Sequence, residues 1–465
     1  MCEKCENTNL KKNLTSEVFD SRLRTYLQNT IRRLPLAKRI KLKTFEKCGK
    51  KLVPIADGNV VLMKKEGSAR FFGVATCGNA FACPYCSAKI MAKHAANIGA
   101  AIDMLQEKNK VAFMMTLTVR HFKAMSCLDV LELLSKTWRQ FGTAVGRRSK
   151  DERSHTVFSA FKAEFNITHW VKVIEFTYND KKGWHPHIHA LFWVDKNRLQ
   201  EVAEWEEKLS DAWDRIQLNS WLKRFANSDM CFGGKGYQSR LRSEKEIKET
   251  FQLFDKNNKR RRSLYISKND DGSIREAKSS DYICGWGANS ELTGNRHKKA
   301  SGKGSLTMHQ LLESAANGNR EHRRRYMEFI FAIRERKRTR VRYAHGMKKE
   351  IDEYRKTHEY EEIMIKKNTE EEPKWRSLIT LSKKTWYKIL ALEEQKNLYI
   401  RHNLLFLAAN YDDVKAFVLI YDYLRCYDID IVAENAINYN FYCDIAEQYY
   451  NGYGSHRCEY GDVAC

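Results

Sequence analysis

The chain has 465 residues, enough for two to four domains and at least one sizeable core. Its 82 Lys and Arg residues against 58 Asp and Glu residues give a formal net charge of +24, which is typical of proteins that meet nucleic acid and less often of proteins that meet an anionic membrane. No run of 18 apolar residues occurs and the first residues lack the apolar core of a secretory signal, so we expect no membrane span and a cytoplasmic location.

Changes in composition along the chain predict four parts. A basic, polar lead is followed by a cysteine-dense module, then by a region of alternating strand and helix signals, and finally by a charged, helical region. The predicted boundaries are 1–44, 45–104, 105–318 and 319–465.

The predicted elements follow from apolar periodicity. A helical stretch lies near 17–33, the apolar run 110–121 predicts a buried strand, and 127–145 has helical spacing. Residues 169–194 predict two strands about a turn at "NDKKG". One or two amphipathic helices are expected over 199–225.

The second half of the chain is more polar. Residues 226–275 are rich in Gly, Ser and Lys and predict an excursion with a loop at "FDKNNKRRRS". From 320 onward the chain is charged and predicted to be helical, and the tail 375–465 also has apolar stripes with helical spacing. The basic runs at 258–263 and 321–342 are either solvated faces or phosphate contacts, and the net charge favours at least one phosphate-tracking segment.

The cysteine-dense module predicts a metal site. The chain has 13 cysteines, an odd number, which in a reducing compartment argues against a disulfide framework. Cys83 and Cys86 form a C-x-x-C that can chelate zinc, and Cys77 supplies a third thiolate. Cys48 is the preferred fourth ligand. Such a Zn²⁺ site would be structural, because the bound ion would hold together a small module that has little hydrophobic core of its own.

Other interpretations of the module stay open at this point. The fourth ligand could instead be His94 or a cysteine of the Cys2–Cys5 pair. The cysteines could also be buried free thiols. A redox role is less favoured, because no thioredoxin-like βαβ pattern surrounds the C-x-x-C.

Three histidines alternate in "GWHPHIHALFWV" at 183–194. Because a strand turns successive side chains to opposite faces, His187 and His189 share one face and Ile188 lies behind them. Two neutral imidazoles spaced in this way can hold one divalent metal ion. The alternative is a row of polar side chains on a solvated strand face.

Three motifs occur in the order found in rolling-circle replication initiators of the HUH endonuclease family: "MMTLTV" (114–119), "HPHIHALFW" (185–193) and "DYICGWGANSELTG" (281–294). The chain most resembles the single-tyrosine plasmid Rep proteins that carry a cysteine module before the nuclease domain. "CGNAFACPYCSAK" resembles that module, and "ELTGNRHKKASGKGSLTMHQLL" resembles the segment after the catalytic tyrosine. The resemblance covers roughly residues 40–320.

The resemblance implies an α+β fold and a reaction. A central antiparallel HUH sheet would carry the histidines on its middle strand, with helices around it, a zinc module before it and a helical region after it. Tyr282 would attack a scissile phosphate in single-stranded DNA and remain linked to the 5′ phosphate. The implied partners are single-stranded and origin DNA, a host helicase and replication proteins.

The chain departs from the family pattern after the tyrosine. The family usually has Lys three residues later, where this chain has Gly285. Tyr265 does have a Lys at that spacing, Lys268, but "GANSELTG" follows Tyr282, which is therefore the preferred nucleophile. Lys278, one turn earlier on a helix, could compensate for the missing charge.

Glu175 is the candidate third metal ligand. It lies on the strand predicted to pair with the histidine strand, so its side chain can reach the same face opposite His187. A carboxylate with two imidazoles suits Mg²⁺ or Mn²⁺. Alternatively, Glu175 is a solvated edge residue. His185 precedes a proline and is expected to contact a metal-binding side chain or the phosphate rather than the metal itself.

Two other functions compete with a replication initiator. One is a single-tyrosine transposase of the same superfamily, which would also carry cysteines and a histidine triplet. The other is a non-catalytic, zinc-containing DNA-binding regulator. The resemblance that runs from "GANSELTG" to "SLTMHQLL" favours the initiator, and the combination of His187, His189 and Tyr282 argues against the regulator.

Overall fold

The chain forms two compact units in the computed structural model, which describes residues 16–54, 58–65, 67–142, 157–225, 251–252, 266–268, 274–276, 304–335, 339–357, 375–396, 398–432 and 435. The cysteine unit comprises Met1–Asn79, Cys83–Ser87 and Asn368–Cys465. The sheet unit comprises Ala80–Ala82 and Ala88–Lys367. No helix among the described residues is long and apolar enough to cross a membrane.

Helices and antiparallel strands make up both units. The helices are α1 (Ser16–Arg32), α2 (Leu36–Lys41), α3 (Lys43–Glu46), α4 (Pro84–Glu107), α5 (Cys127–Gly142), α6 (Val157–Glu164), α7 (Leu199–Glu204), α8 (Glu206–Phe225), α9 (Met308–Ala316), α10 (Arg320–Glu335), α11 (Met347–Thr357), α12 (Lys383–Lys396), α13 (Ile400–Asn410) and α14 (Asp413–Arg425). The strands are β1 (Val60–Lys65), β2 (Ser68–Phe72), β3 (Lys110–Thr118), β4 (Trp170–Asn179), β5 (Gly183–Asp195), β6 (Phe251–Gln252), β7 (Ile266–Lys268), β8 (Ile274–Glu276), β9 (Ser305–Thr307), β10 (Val341–Tyr343) and β11 (Arg376–Leu381). The predicted α+β class, with antiparallel sheets and a helical C-terminal region, is confirmed.

The sheet unit is built on a six-stranded antiparallel sheet of order β10-β4-β5-β3-β6, with β9 also paired to β4. The β4–β5 hairpin closes at the predicted "NDKKG" turn, where Asn179 Oδ1 accepts the amides of Lys181 and Lys182 at 2.9 and 3.1 Å. Gly183 ends this turn at φ +84°, and a Cβ there would lie 2.9 Å from the backbone of Lys123. The turn therefore sets the register of the two longest strands.

Helices cover one face of this sheet through aromatic contacts. Phe158 of α6 packs edge-on against Phe192 of β5, with ring centroids 5.5 Å apart. Phe141 of α5 stacks on Phe158 at 4.6 Å. Helix α5 begins at a capped end, where Ser126 Oγ accepts the amide of Asp129 at 3.1 Å. The apolar residues of this helix, among them Val130, Leu134 and Phe141, are buried.

In the cysteine unit β1 lies between β2 and β11 in a three-stranded antiparallel sheet. Val60 pairs with Leu381, more than 300 positions away in the chain. The prediction that the tail from 375 is helical is wrong for its first residues, because "RSLITL" forms β11. Likewise, the helical pattern from 320 is interrupted after Glu335, and Val341–Tyr343 pairs with β4. Both short segments gain strand partners that local periodicity does not reveal.

A buried ion pair joins the C-terminal helices to the loop after α3. Arg401 is fully buried and donates from Nε to Glu393 Oε2 at 2.7 Å. Its Nη1 donates to the carbonyl of Gly49 at 2.9 Å and its Nη2 to Gln28 Oε1 at 3.3 Å. A buried guanidinium that is satisfied on three sides is a rigid connection between distant chain segments.

Replacing Glu393 with leucine should lower the free energy of unfolding by about 3–5 kcal/mol, because Arg401 would be left as an uncompensated buried charge. The double variant Glu393→Leu/Arg401→Met removes both charges and should recover part of that loss. Denaturant unfolding followed by circular dichroism measures both. A double variant that is less stable than Glu393→Leu would contradict this view of the pair.

Candidate metal centres

Four cysteines converge in the cysteine unit. Cys48 lies in the turn after α3, Cys77 in the loop after β2, and Cys83 and Cys86 at the start of α4. Their sulfur atoms all lie within 4.8 Å of one another. The structure therefore brings together the four cysteines named from the sequence as one candidate metal site.

The sulfur separations fit a tetrahedral metal ion. Cys48 Sγ lies 3.8 Å from Cys83 Sγ and 3.6 Å from Cys86 Sγ, and Cys77 Sγ lies 3.6 Å from Cys86 Sγ. Four thiolates at about 2.3 Å from a central ion are about 3.8 Å apart. A disulfide would need about 2.05 Å, and all four residues are free cysteines.

Hydrogen bonds fix the loop that carries Cys48. Gln28 Nε2 donates to the carbonyls of Cys48 and Phe45 at 2.6 and 3.1 Å. The amide of Gly49 donates to the carbonyl of Ala75 at 2.7 Å, so this loop is tied to the segment that leads to Cys77. Gly49 has φ +65°, and a Cβ would meet a guanidinium there. The sulfurs are thus positioned by their backbone surroundings as well as by one another.

That guanidinium belongs to Arg24, a residue that sequence reasoning missed. Arg24 is buried, and its guanidinium carbon lies 4.6 Å from the ring centroid of Tyr85. Hydrogen bonds from the other three cysteines lower the pKa of the Cys48 thiol, and the positive charge of Arg24 lowers it further. Four thiolates around a divalent ion would carry two excess negative charges, which the guanidinium of Arg24 would partly balance. A single arginine in a basic helix gives no sequence signal for this role.

The alternative ligands occupy other surroundings or are not described. His94 Nδ1 lies 2.9 Å from the hydroxyl of Tyr343, and the ring is not part of the four-cysteine cluster. Cys2 and Cys5 lie outside the described residues.

Purified protein should carry one tightly held metal ion per chain that is lost on replacing Cys83 with serine, because the site would keep only three thiolates. Elemental analysis by mass spectrometry measures the content. Cys426→Ser, at an exposed cysteine outside the cluster, and His94→Gln should both retain the ion. Full metal content in Cys83→Ser would exclude this cluster as the binding site.

A second cluster lies on one face of the central sheet. The register pairs Glu175 of β4 with His187 of β5. His187 Nε2 is 3.2 Å and His189 Nε2 is 3.5 Å from Glu175 Oε2. The side chains of the glutamate and of His189 keep only 6% and 7% of their surface exposed, and that of His187 keeps 12%. The three ligand types named from the sequence thus meet in a nearly dry site.

Neighbouring groups orient both imidazoles. Thr116 Oγ1 is 3.0 Å from His189 Nδ1, and its strand β3 pairs with β5 at that position. His187 Nδ1 donates to the carbonyl of His185 at 3.4 Å. With Nδ1 turned to this carbonyl, Nε2 of His187 faces the carboxylate of Glu175, where it could bind a metal ion as a neutral imidazole. A cation between these groups would relieve the repulsion of converging lone pairs, so the donor set fits a divalent ion.

Two further histidines and an arginine surround this cluster. The ring centroid of His185 lies 5.5 Å from that of His187 and 4.9 Å from that of His121. Burial, followed by the nearby His187 and His121, holds the pKa of His185 well below its usual value. Burial lowers the pKa of Arg340 to about 10, and the charge of Glu175 opposes this shift. Sequence reasoning missed both His121 and Arg340. The one available signal was that His121 lies two residues after the "MMTLTV" motif of β3.

The candidate nucleophile is not among the described residues. Tyr282 and its competitor Tyr265 both lie outside them, as do Lys278 and Gly285. Residues 266–268 and 274–276 pair as two short antiparallel strands. The choice between the two tyrosines stays a prediction.

Comparison with known proteins finds two partial relatives. A protein named Protein rep from Streptomyces lividans is 26% identical over 200 residues, which cover 38% of this chain and 44% of that protein. A protein named Neomycin resistance protein from Streptomyces cyanogenus is 26% identical over 141 residues, which cover 28% of this chain and 32% of that protein. The chain thus spans less than half the length of these curated relatives. No protein-family model matches the sequence, and no solved structure matches it.

Replacing His189 with alanine should weaken Mn²⁺ binding at the sheet cluster at least about tenfold, because one of three protein ligands is removed. Titration calorimetry on protein whose cysteine site is already filled measures this affinity. His94→Gln, a histidine of the same unit outside the cluster, should bind as the unaltered protein does. Equal Mn²⁺ affinity in all three proteins would exclude the cluster as the site.

Proposed function

We propose that the protein initiates plasmid rolling-circle replication by nicking and rejoining single-stranded DNA at an origin. The observation that carries this proposal is the convergence of Glu175, His187 and His189 on adjacent strands of an antiparallel sheet. The match to a protein named Protein rep supports it, and so does the net charge of +24.

The sheet cluster would hold Mg²⁺ or Mn²⁺ through one carboxylate and two imidazoles. When bound, such an ion polarises a phosphate oxygen at the scissile bond. The chain's own contribution is orientation and exclusion of water. Thr116 and the carbonyl of His185 hold the two imidazole rings, and burial of Glu175 strengthens every electrostatic interaction at the site.

The proposed covalent step uses Tyr282. Its phenolic oxygen forms a bond to phosphorus, the bond from phosphorus to the 3′ oxygen breaks, and the phenol proton ends on that 3′ oxygen. The products are a 5′-phosphotyrosine and a free 3′-OH that can prime synthesis. Since no water is consumed, the reverse step rejoins a strand without added energy. Lys278 would supply the positive charge that Gly285 lacks.

The four-cysteine cluster would hold a structural Zn²⁺. Thiolates are the ligands that zinc prefers, and a closed set of four leaves no position for a substrate. The ion would tie the loop after α3, the loop after β2 and the start of α4 together in one unit. Origin DNA, a host helicase and replication proteins are the proposed partners.

The decisive variants are Tyr282→Phe and Tyr265→Phe, which remove one hydroxyl each. Incubation with Mn²⁺ and single-stranded DNA spanning the noncoding sequence that flanks the gene should give a covalent protein–DNA band on denaturing gels. Tyr282→Phe should abolish the band and Tyr265→Phe should retain it, because only the former removes the nucleophile. His189→Ala should reduce the rate at least about a hundredfold while DNA binding persists.

Each remaining outcome has a distinct meaning. Loss of the band only in Tyr265→Phe would keep the reaction and replace the nucleophile. Origin binding by the unaltered protein without any covalent band would instead favour the DNA-binding regulator.

A further inference from the structure

A cleft of about 580 Å³ opens in the sheet unit on the face opposite the metal cluster. Ile174 and Ile188 form part of its floor. Each is adjacent in sequence to a member of the metal cluster, Glu175 or His187, and successive strand residues point to opposite faces. Helices α5 and α6 form the walls. The cleft is therefore a concave site that the proposed nicking chemistry does not use.

The charged side chains that line the cleft are mostly cationic. Glu132 is the acidic one among them. The basic lining residues, from four different elements, are Lys136, Arg139, Lys162, Lys172 and Arg342. Five cations against one carboxylate create a positive potential inside a concave, low-dielectric wall, where field lines are focused. Such a lining favours an anionic ligand over a cationic one.

Aromatic rings form the rest of the wall. Trp138 and Trp170 are half-buried and line the cleft. Trp138 lies beside Phe158, with ring centroids 6.2 Å apart and planes at 57°. Rings held in this way by packing offer a flat partner for a ligand ring at small entropic cost.

The cations are placed on these rings. Lys172 Nζ lies 5.0 Å from the ring centroid of Trp138, and Lys162 Nζ lies 5.1 Å from that of Phe158. Lys172 is only 9% exposed, although lysine is almost never found so deeply buried. An aromatic ring and a positive charge thus lie close enough for one small ligand to contact both.

We propose that this cleft binds a nucleotide, with the base against the indole of Trp138 and the phosphate among Lys172, Lys162 and Arg342. Planar rings with fixed cations beside them are the pattern by which proteins hold nucleotides without reading their sequence. The ligand comes either as a free nucleotide or as one unit of a single strand. This binding stands independently of the proposed nicking reaction, because it uses the other face of the sheet.

Binding to the full-length protein tests the proposal with two probes. Fluorescently labelled dGTP represents the free nucleotide, and a fluorescein-labelled 15-residue oligo(dT) represents the strand. Arg342→Glu reverses an exposed charge at the cleft and should leave the fold intact. Lys349→Glu makes the same change of charge at a residue whose side chain is 83% exposed and away from the cleft lining. Trp138→Leu removes the stacking surface.

Arg342→Glu and Trp138→Leu should each weaken binding of at least one probe about tenfold relative to Lys349→Glu. Weakened binding of labelled dGTP identifies a free-nucleotide site. Weakened binding of the oligonucleotide alone, with His189→Ala binding normally, identifies a site for a strand. If neither cleft variant differs from Lys349→Glu with either probe, while circular dichroism shows all variants folded, the proposal is wrong.

The two proposals fail separately. If the protein forms no covalent DNA band but binds nucleotide at the cleft, only the nicking proposal is wrong. If the protein nicks DNA normally and every cleft variant binds both probes as the unaltered protein does, only the cleft proposal is wrong.

Discussion

The pairing register of the β4–β5 hairpin is the constraint on which the sheet site depends. It places Glu175 opposite His187, and the pairing of β5 with β3 places Thr116 opposite His189. Because side chains alternate between faces, a slip of one residue would send both imidazoles to the helix-covered face. The Asn179 turn and Gly183 oppose that slip, so a few turn residues determine whether the candidate metal ligands converge.

The same alternation gives the sheet two chemically different faces. One face carries the glutamate and the imidazoles in a nearly dry cluster. The other carries Ile174, Ile188 and Phe192 beneath aromatic helices and the basic cleft. Residues that follow one another along a strand point to opposite faces, so a substitution in the cleft floor alters the same strands that carry the candidate metal ligands. Variants on the cleft rim, such as Arg342, avoid that coupling.

The cysteine cluster depends on a different kind of closure. Its ligands come from three segments, and Arg401 connects the Cys48 loop to a helix more than 350 positions later. Closing such a loop is entropically unfavourable, and the buried pair with Glu393 together with a bound ion would offset that cost. Arg24 adds electrostatic balance beside the sulfurs. The contacts of Arg401 therefore both stabilise the cysteine unit and position the loop that carries Cys48, one of the candidate ligands.

The sequence by itself determined the parts of the fold whose signals are local. Periodicity located β3, α5 and the β4–β5 hairpin to within a few residues, and alternation placed His187 and His189 on one face. The C-x-x-C spacing pointed to Cys83 and Cys86, and the predicted pairing of the two strands about the "NDKKG" turn pointed to Glu175. Only the tertiary structure decided that β11 and β10 are strands, that Arg24 and Arg340 lie beside the clusters, and that a basic cleft lies behind the histidines. These features depend on contacts between residues far apart in the chain. A local pattern of side chains does not specify which distant segment will pack or pair with it.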